Sequence, residues 1–354
     1  MSIQERLRGI WRRGGKRNLI AGALSLAHLA SRAGLLPKQR GRGAIFTLHH
    51  VRPAGQLFPP NAHLEVTPEF LEAAIVQLRS DGYDFVRLDE VPSRLASLNP
   101  TPFAAFTLDD GYYNNAQYAF PVFERHKVPF TVFITRGFAE RTHSLWWETL
   151  GVLLPSADRL QFDFGNGVEE VDLSTPVRIQ DGFKKFARFV SERDETEAVA
   201  AIDDLARRHG IDPLDLTARL VMGPDDLLTL IAHPLASLGA HTISHRAISR
   251  LSDHEAREEL QRSTDWLEQL TGTRPTTFAF PYGTRAAVSE RDIKLAKELG
   301  FSVAVLTQPG TLSEQSLNKL TGLPRISMNG FFQRPKYVSA LASGIPFALS
   351  RRGS

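Results

Sequence analysis

The 354-residue chain contains no cysteine, which excludes disulfide bonds, thiolate metal sites and cysteine nucleophiles. Any bound metal must therefore be held by histidine or carboxylate side chains. The chain also has no uninterrupted apolar run long enough for a membrane-spanning helix. Apolar residues make up 42% and charged residues 23% of the sequence, a balance that is typical of globular proteins and argues against extensive disorder.

Positive charge is concentrated near the N-terminus, where residues 1–43 hold ten Lys or Arg and one acid, Glu5. We interpret these residues as a basic helical arm, and residues 346–354 as a basic tail. The apolar stretch 19–30 resembles a weak secretion signal, but His28 interrupts it and the cleavage pattern is poor. A helix on an anionic membrane surface and a helix packed on the body of the protein both remain open. We expect a cytoplasmic location, with peripheral membrane contact through the arm as an alternative and secretion as a weaker one.

Short apolar runs of strand-like length alternate with helical segments along residues 44–345. The predicted strands are 44–48, 85–88, 103–108, 130–135, 235–240, 277–280 and 302–306. The clearest predicted helices are 68–80, which Thr67 would cap, 253–270 and 289–299. This alternation favours a parallel α/β sheet, and the number of strands favours a closed or nearly closed barrel. Residues 139–224 break the alternation, so we interpret them as a largely helical insertion between two barrel strands.

Two adjacent carboxylates, Asp109 and Asp110, follow the predicted strand 103–108 and precede Gly111. Functional groups in α/β barrels lie at the carboxyl ends of the strands, and adjacent residues there point in different directions. One carboxylate could therefore bind a metal while the other accepts a proton. A plain turn is the alternative, because Asp-Asp-Gly is also common turn chemistry.

Two histidines, His241 and His245, follow another predicted strand at a spacing that suits one side of a helical turn. Alone, the pair is as compatible with surface or N-cap histidines as with a metal site. Together with one of the two aspartates, however, it forms a three-ligand set with open coordination positions. A hydrolytic zinc site fits this set, with iron or cobalt as alternatives. Such a metal would activate water and polarise a carbonyl, and the spare aspartate would act as the base.

A third motif, Phe280-Pro281-Tyr282-Gly283, ends the predicted strand 277–280 in a tight turn. A turn at this position can present a backbone N–H to an oxyanion. Taken alone, the motif is better explained as an ordinary strand-to-loop turn.

These three motifs, in this order, resemble those of the NodB-type polysaccharide deacetylases, carbohydrate esterase family 4. The segment 45–53 also looks like the Tyr-His-x-Val opening of many members, with His49 in the histidine position and Leu48 in place of the tyrosine. The resemblance covers about residues 44–330 without the insertion. It implies a distorted (β/α) barrel of seven or eight strands that holds a divalent metal, usually zinc.

The resemblance also implies a role for each residue of the motifs. Asp109 corresponds to the general base, and Asp110, His241 and His245 correspond to the metal ligands. The backbone N–H of Tyr282 would help to hold the tetrahedral oxyanion. The implied reaction is hydrolysis of the acetamide of an N-acetylhexosamine in an oligo- or polysaccharide, so the expected partner is an N-acetylated carbohydrate.

The sequence departs from the family pattern at two points. Ala279 stands where many members have an arginine that orients the base, and Arg325 could supply a guanidinium from another strand. The late Leu-x-His motif of the catalytic acid is absent, because no histidine follows His254. His49 is then the remaining candidate for an acid or a substrate contact, with a structural histidine at a strand end as the alternative. Members with Phe-Ala-x-Pro-Tyr-Gly look like those that act on bacterial exopolysaccharides.

Other functions remain open from the sequence alone. A deformylase or deacetylase of a lipid-linked sugar would suit the basic arm, and a catalytically silent carbohydrate-binding module would suit the two departures. Retention of both aspartates and both histidines argues against the silent module. Nucleic-acid binding is not expected, because the basic residues lie in a short arm without an aromatic-lined groove. Within the insertion, Trp146 and Trp147 could stack on sugar rings, although such pairs more often belong to a core.

Overall fold

The computed structural model describes residues 3–35, 37–55, 58, 60–98 and 101–350. In these ranges the strands are β1 (Gly43–Leu48), β2 (His50–Val51), β3 (Glu65–Val66), β4 (Asp84–Phe85), β5 (Phe103–Leu108), β6 (Phe130–Ile134), β7 (Arg159–Asp163), β8 (Val168–Asp172), β9 (Ala236–Ala240), β10 (Thr277–Ala279), β11 (Val303–Val305) and β12 (Ile326–Ser327). The helices are α1 (Ile3–Arg32), α2 (Pro68–Ser80), α3 (Val91–Ala96), α4 (Phe120–His126), α5 (Arg136–Ala139), α6 (Trp146–Leu153), α7 (Pro176–Glu192), α8 (Glu195–Arg208), α9 (Pro213–Leu220), α10 (Pro224–Ile231), α11 (Asp253–Thr271), α12 (Glu290–Glu298), α13 (Pro335–Ala342) and α14 (Ile345–Ser350).

A curled parallel sheet forms the centre of the protein, with the strand order β11-β10-β9-β6-β5-β1-β12 and with β4 paired beside β5. β1 and β5 are buried along their whole length and pair in register, with Phe46 opposite Phe106. The two ends of the sheet approach each other where Leu323, just before β12, pairs with Val305 of β11. With its surrounding helices, the sheet is the distorted (β/α) barrel that the sequence predicts, so that prediction is confirmed.

Alternate residues of the strands point into two different cores, as expected for a parallel sheet that is buried on both faces. Phe46 and Phe106 pack outward against helices, whereas Ile45 and Ala105 belong to a cluster inside the barrel with Phe133. Apolar side chains therefore fill most of the barrel interior.

Most of the predicted elements form close to their predicted bounds. Helix α2 begins after Thr67, whose hydroxyl accepts a hydrogen bond from the Phe70 N–H at 3.2 Å. The predicted strand 85–88 shortens to β4, because the chain enters a 3-10 helix at Leu88–Glu90. The sequence does not predict β12, since a strand of two residues gives no alternation to recognise.

The insertion lies between β6 and β9 and forms helices α6–α9 together with the antiparallel hairpin β7–β8. The helical patterning does not predict this hairpin. Tyr112 and Phe138 from the barrel side join the insertion's own apolar core, so the insertion packs directly on the barrel. Trp146 and Trp147 belong to that core, as the sequence analysis favours, and are 8% and 7% exposed. The boundaries at 139 and 224 stay predictions.

Helix α1 of the N-terminal arm packs on the body of the protein. Leu24 and Ala27 form an apolar cluster with Tyr337, Ala340 and Ile345 of α13 and α14. Among the described residues, no helix is long and apolar enough to span a membrane. The last four residues of the basic tail lie outside the described ranges. Peripheral membrane contact, the cellular location and the bounds of the arm and the tail stay predictions.

Candidate metal centre and active site

Three candidate metal ligands converge at the carboxyl ends of β5 and β9. Asp110 follows β5, and its Oδ1 lies 3.5 Å from His241 Nε2 and 3.4 Å from His245 Nε2. One ligand atom from each residue lies within 4.8 Å of the other two, and all three side chains are buried. The structure therefore brings together the Asp-His-His set that was picked out in the sequence.

The chemistry of this group fits a divalent cation. In the described part of the chain, Asp110 Oδ1 is buried without a hydrogen-bond partner, although it faces two imidazole nitrogens. A cation between the three groups would satisfy that oxygen, which is otherwise unfavourable to bury. Burial by itself raises the pKa of Asp110, but the His241 and His245 imidazoles outweigh it and hold the pKa well below its usual value. One ionised carboxylate and two imidazoles also match the ligands of hydrolytic zinc sites.

The backbone that carries these ligands is strained. Asp110 has a φ of 69°, and Thr242 and His245 have φ values of 70° and 60°, all in the left-handed region. Each non-glycine residue in such a conformation costs on the order of 1–3 kcal/mol, so surrounding contacts must hold it. Thr242 Oγ1 accepts a hydrogen bond from the His245 N–H at 3.0 Å, which closes the turn between the two histidines. Several non-glycine residues with positive φ so close together indicate a functional site.

Glu259 of α11 supports the loop that carries the two histidines. Its carboxylate accepts hydrogen bonds from the Ile243 N–H at 2.7 Å and from the Ser244 N–H at 3.0 Å. His241 Nδ1 lies 2.6 Å from the carbonyl oxygen of Ala279, which belongs to the neighbouring strand β10. Such an outer hydrogen bond orients an imidazole and leaves its Nε2 free for a metal.

Asp109, the other carboxylate of the motif, is paired with a buried arginine. Arg325 Nη1 and Nη2 donate to Asp109 Oδ1 and Oδ2 at 2.7 and 2.6 Å. Arg325 is fully buried, and it also donates to Thr107 Oγ1 at 3.0 Å and to the carbonyl of Leu306 at 2.9 Å. Burial raises the pKa of Asp109, but Arg325 outweighs it, so the pKa lies below its ordinary value. The bidentate pair thus holds Asp109 as an oriented, ionised carboxylate.

The guanidinium reaches Asp109 although Ala279 occupies the family's arginine position. Ala279 lies in the inner barrel cluster with Phe133, and the Arg325 guanidinium lies over the Phe133 ring at 5.8 Å. Arg325 approaches from the segment just before β12, through the barrel interior. The contact exists in the structure, while its effect on turnover stays a prediction.

His49 lies at the end of β1 beside the same carboxylate. Its Nε2 is 3.9 Å from Asp109 Oδ2, and its backbone carbonyl accepts a hydrogen bond from Asn115 Nδ2 at 2.7 Å. The side chain is 19% exposed, which leaves it accessible to a substrate. Desolvation lowers the pKa of His49 despite the opposing attraction of Asp109 and Asp110. A neutral imidazole in this position can contact a substrate and exchange a proton with it.

Replacing His49 by glutamine is expected to lower turnover by about 10²-fold, within the range for loss of a proton-transferring group. Glutamine keeps a polar side chain but cannot take up a proton. Steady-state kinetics measures the effect, and His254→Gln is the matched control because His254 is 83% exposed on α11. Unaltered turnover in His49→Gln would leave His49 as a structural residue.

Tyr282 lies in the turn after β10, with a φ of 58° in the left-handed region. Its ring meets His245 edge to face at 4.9 Å, so the turn lies beside the candidate metal ligands. The Tyr282 hydroxyl donates to Glu195 Oε1 at 2.6 Å and accepts from Trp146 Nε1 at 3.1 Å. Glu195 Oε2 also accepts from the Ala247 N–H at 2.9 Å. This one carboxylate of α8 therefore joins the insertion to both loops of the site.

Several supporting residues carry no recognisable signal in the sequence. Glu195 and Glu259 are each one of several acids within amphipathic helices, where a solvated position is the ordinary expectation. Asn114 Oδ1 accepts from the Val51 N–H at 3.1 Å and so joins β2 to the loop after β5. Each of these contacts spans a long stretch of chain, so only the folded protein reveals it.

Comparisons with known proteins agree with this geometry. The sequence model of the polysaccharide deacetylase family matches residues 98–304, which is more than half of the chain. The matched range contains both carboxylates, both histidines and Tyr282. None of the curated sequences compared with the chain matches it.

Solved structures share the fold at low sequence identity. IcaB from Ammonifex degensii is 16% identical with a TM-score of 0.53, over 84% of this chain and 97% of that chain. The polysaccharide deacetylase BC0361 from Bacillus cereus is 15% identical with a TM-score of 0.51, over 84% of this chain and 68% of that chain. The Streptococcus pyogenes deacetylase PplD in complex with acetate is 17% identical with a TM-score of 0.50, over 81% of this chain and 92% of that chain. These structures support the barrel, and the sequence match shows that the chain belongs to the polysaccharide deacetylase family.

Proposed function

We propose that the protein hydrolyses the N-acetyl group of an N-acetylhexosamine in an oligo- or polysaccharide, with a divalent metal that is most simply zinc. One observation carries the proposal: the group of Asp110, His241 and His245 lies beside a second carboxylate, Asp109, that Arg325 holds in place. A metal site alone needs only Asp110, His241 and His245. An oriented carboxylate next to it is what a hydrolase requires for proton transfer.

The residues of the two groups divide the work of amide hydrolysis. Asp110, His241 and His245 would hold the metal, which when bound supplies a Lewis acid that activates water and polarises the amide carbonyl. Asp109 accepts the proton of the attacking water, and its low pKa keeps it ionised at neutral pH. Arg325 keeps both oxygens of Asp109 in place during that transfer.

Two further groups complete the proposed reaction. We assign the backbone N–H of Tyr282 to the developing oxyanion, because its turn packs on His245 beside the metal ligands. We assign His49, 3.9 Å from Asp109 Oδ2, to passing the proton that Asp109 takes from the water on to the leaving amine, which restores the ionised Asp109 and the neutral imidazole.

A second candidate function is removal of an acetyl or formyl group from a lipid-linked sugar. An apolar cavity of about 340 Å³ lies between α7 and the loop after β10, and Trp146 and Tyr282 form part of its wall. Val190 and Ala287 also line this cavity. An aliphatic chain would therefore find a nonpolar surface next to the candidate active site.

The test is release of acetate and formate from a substrate panel by the full chain loaded with zinc. The panel contains chitooligosaccharides, poly-N-acetylglucosamine, and lipid-linked N-acetyl and N-formyl sugars. We expect acetate release that a chelator abolishes and added zinc restores. Formate release from the lipid-linked sugars alone would favour the second candidate. Bound zinc without either product would refute hydrolysis and favour a silent carbohydrate-binding protein.

A further inference from the structure

One side of helix α1 carries apolar side chains that the described part of the chain leaves uncovered. Leu24 and Ala27 face the body of the protein, where they pack on α13 and α14. The opposite side is exposed, and we call it the outer face of α1, defined by Leu19, Gly22, Ala23, Leu26 and Leu29. Residues spaced by three, four or seven positions share a helical face, so these five residues form one stripe.

The outer face is both apolar and free of charge. Leu19, Leu26 and Leu29 are 74%, 68% and 63% exposed, and residues 18–31 contain no Lys, Arg, Asp or Glu. A single exposed leucine on a protein surface is ordinary. A contiguous uncharged row of them indicates an interaction surface.

Basic residues lie at both ends of this face. Lys16 and Arg17 precede it and Arg32 follows it, and all three are exposed. Helices α13 and α14, on which α1 packs, contain no acid, and residues 1–43 contain only Glu5. Residues 44–354 hold the remaining 32 basic and 38 acidic residues. The excess of positive charge therefore belongs to the N-terminal arm that carries the outer face.

An anionic lipid bilayer matches both properties of this face. The basic side chains would lie among the lipid phosphates, while the leucines reach the boundary with the acyl chains. A second copy of the chain fits less well, because face-to-face packing would bring two basic arms together. Since Leu24 and Ala27 hold α1 against the body, the helix would lie along the bilayer surface.

We infer that the outer face of α1 docks the protein on the surface of an anionic lipid bilayer. The Arg17 guanidinium lies over the ring of Phe331 at 3.6 Å, and Phe331 belongs to the loop that follows β12. This loop leaves the carboxyl end of the sheet, where the candidate metal ligands also lie. Docking would therefore hold that edge of the barrel close to the bilayer. The inference does not depend on the proposed function, because neither the metal nor a sugar takes part in it.

Flotation of the full chain with lipid vesicles tests the inference. We expect vesicles of phosphatidylcholine and phosphatidylglycerol in equal parts to bind the protein at least about tenfold more tightly than phosphatidylcholine alone, and high salt to weaken that binding. Leu26→Glu should weaken binding to the mixed vesicles by at least about tenfold, because it replaces a lipid-buried leucine with a negative charge. Lys16→Gln should weaken it by about fivefold, through the loss of one positive charge at the surface.

Val168→Glu is the matched control, because Val168 is 72% exposed on β8 of the insertion and the variant receives the same charge. It should bind the vesicles as the wild type does. Leu29→Gln tests the same face if Leu26→Glu folds poorly. No binding to mixed vesicles, equal binding to the two kinds of vesicle, or wild-type binding by folded Leu26→Glu and Leu29→Gln would overturn the inference. A vesicle-free dimer in light scattering that Leu26→Glu dissociates would also overturn it, because a second copy would then cover the face.

Discussion

Arg325→Met is expected to lower the free energy of unfolding by about 3–5 kcal/mol, since removal of one partner leaves a buried charge unpaired. Arg325 is fully buried, and both of its terminal nitrogens donate to Asp109. Methionine fills much of the same volume, so the loss reports the ion pair more than a cavity. Turnover should fall by about 10²-fold or more, because Asp109, the proposed base, loses its orientation. Urea unfolding and steady-state kinetics measure the two effects.

The pH dependence of this stability loss has a defined sign. In the wild type the pKa of Asp109 lies below its ordinary value, so the pair stabilises the fold above the unfolded-state pKa and loses that effect as the pH falls through the folded-state pKa. Without Arg325, burial alone would raise that pKa, and protonation of Asp109 would relieve the unpaired charge. The stability difference should therefore be largest near neutral pH and shrink toward about pH 4.

The double variant Asp109→Asn/Arg325→Met separates charge from packing. It should recover part of the lost stability, because both buried charges are gone, while turnover stays low. A single Arg325→Met variant as stable and as active as the wild type would contradict the role assigned to this pair.

His241→Ala is expected to lose bound zinc and, with it, turnover. The side chain is buried, and its Nε2 lies 3.5 Å from Asp110 Oδ1 within the candidate ligand group. Removing a ligand should weaken zinc binding by more than the ~10–100-fold that loss of an outer-shell partner causes. Zinc content by mass spectrometry and acetate release measure the two losses.

His233→Ala provides the control for this variant. His233 lies shortly before His241 in the sequence but outside the ligand group, and its side chain is 31% exposed. It should keep both zinc and turnover. Wild-type zinc content in His241→Ala would mean that the metal binds elsewhere.

The candidate ligands could be predicted from the sequence because each motif follows an apolar run that forms a strand. Asp109 and Asp110 follow β5, and His241 follows β9. In a parallel sheet, the carboxyl ends of all strands lie at the same edge, so these groups converge even though β6 lies between the two strands. The long insertion does not disturb this arrangement, since it leaves and re-enters at that edge.

The contacts around the ligands were harder to predict, because they depend on strand order and on helix packing. Arg325 could be named as a candidate partner of Asp109 only because Ala279 replaces the arginine of the family pattern. The pair itself requires β12, β1 and β5 to be neighbours, and a two-residue strand does not reveal that order. Glu195 and Glu259 look like solvated helix residues until the helices dock. The hairpin did carry a signal in the sequence, since the apolar Leu160 and Phe162 of β7 alternate with polar residues.

The most direct test of the central claim is to measure zinc content and acetate release on one preparation of Asp109→Asn. Asp109 and Asp110 are adjacent, yet only Asp110 lies in the ligand group, while Asp109 pairs with Arg325. We predict the zinc content of the wild type together with turnover that is lower by about 10²–10⁴-fold. Loss of zinc would make Asp109 a ligand rather than the base, and wild-type turnover would exclude it as the base; either result would contradict the division of roles between the two carboxylates.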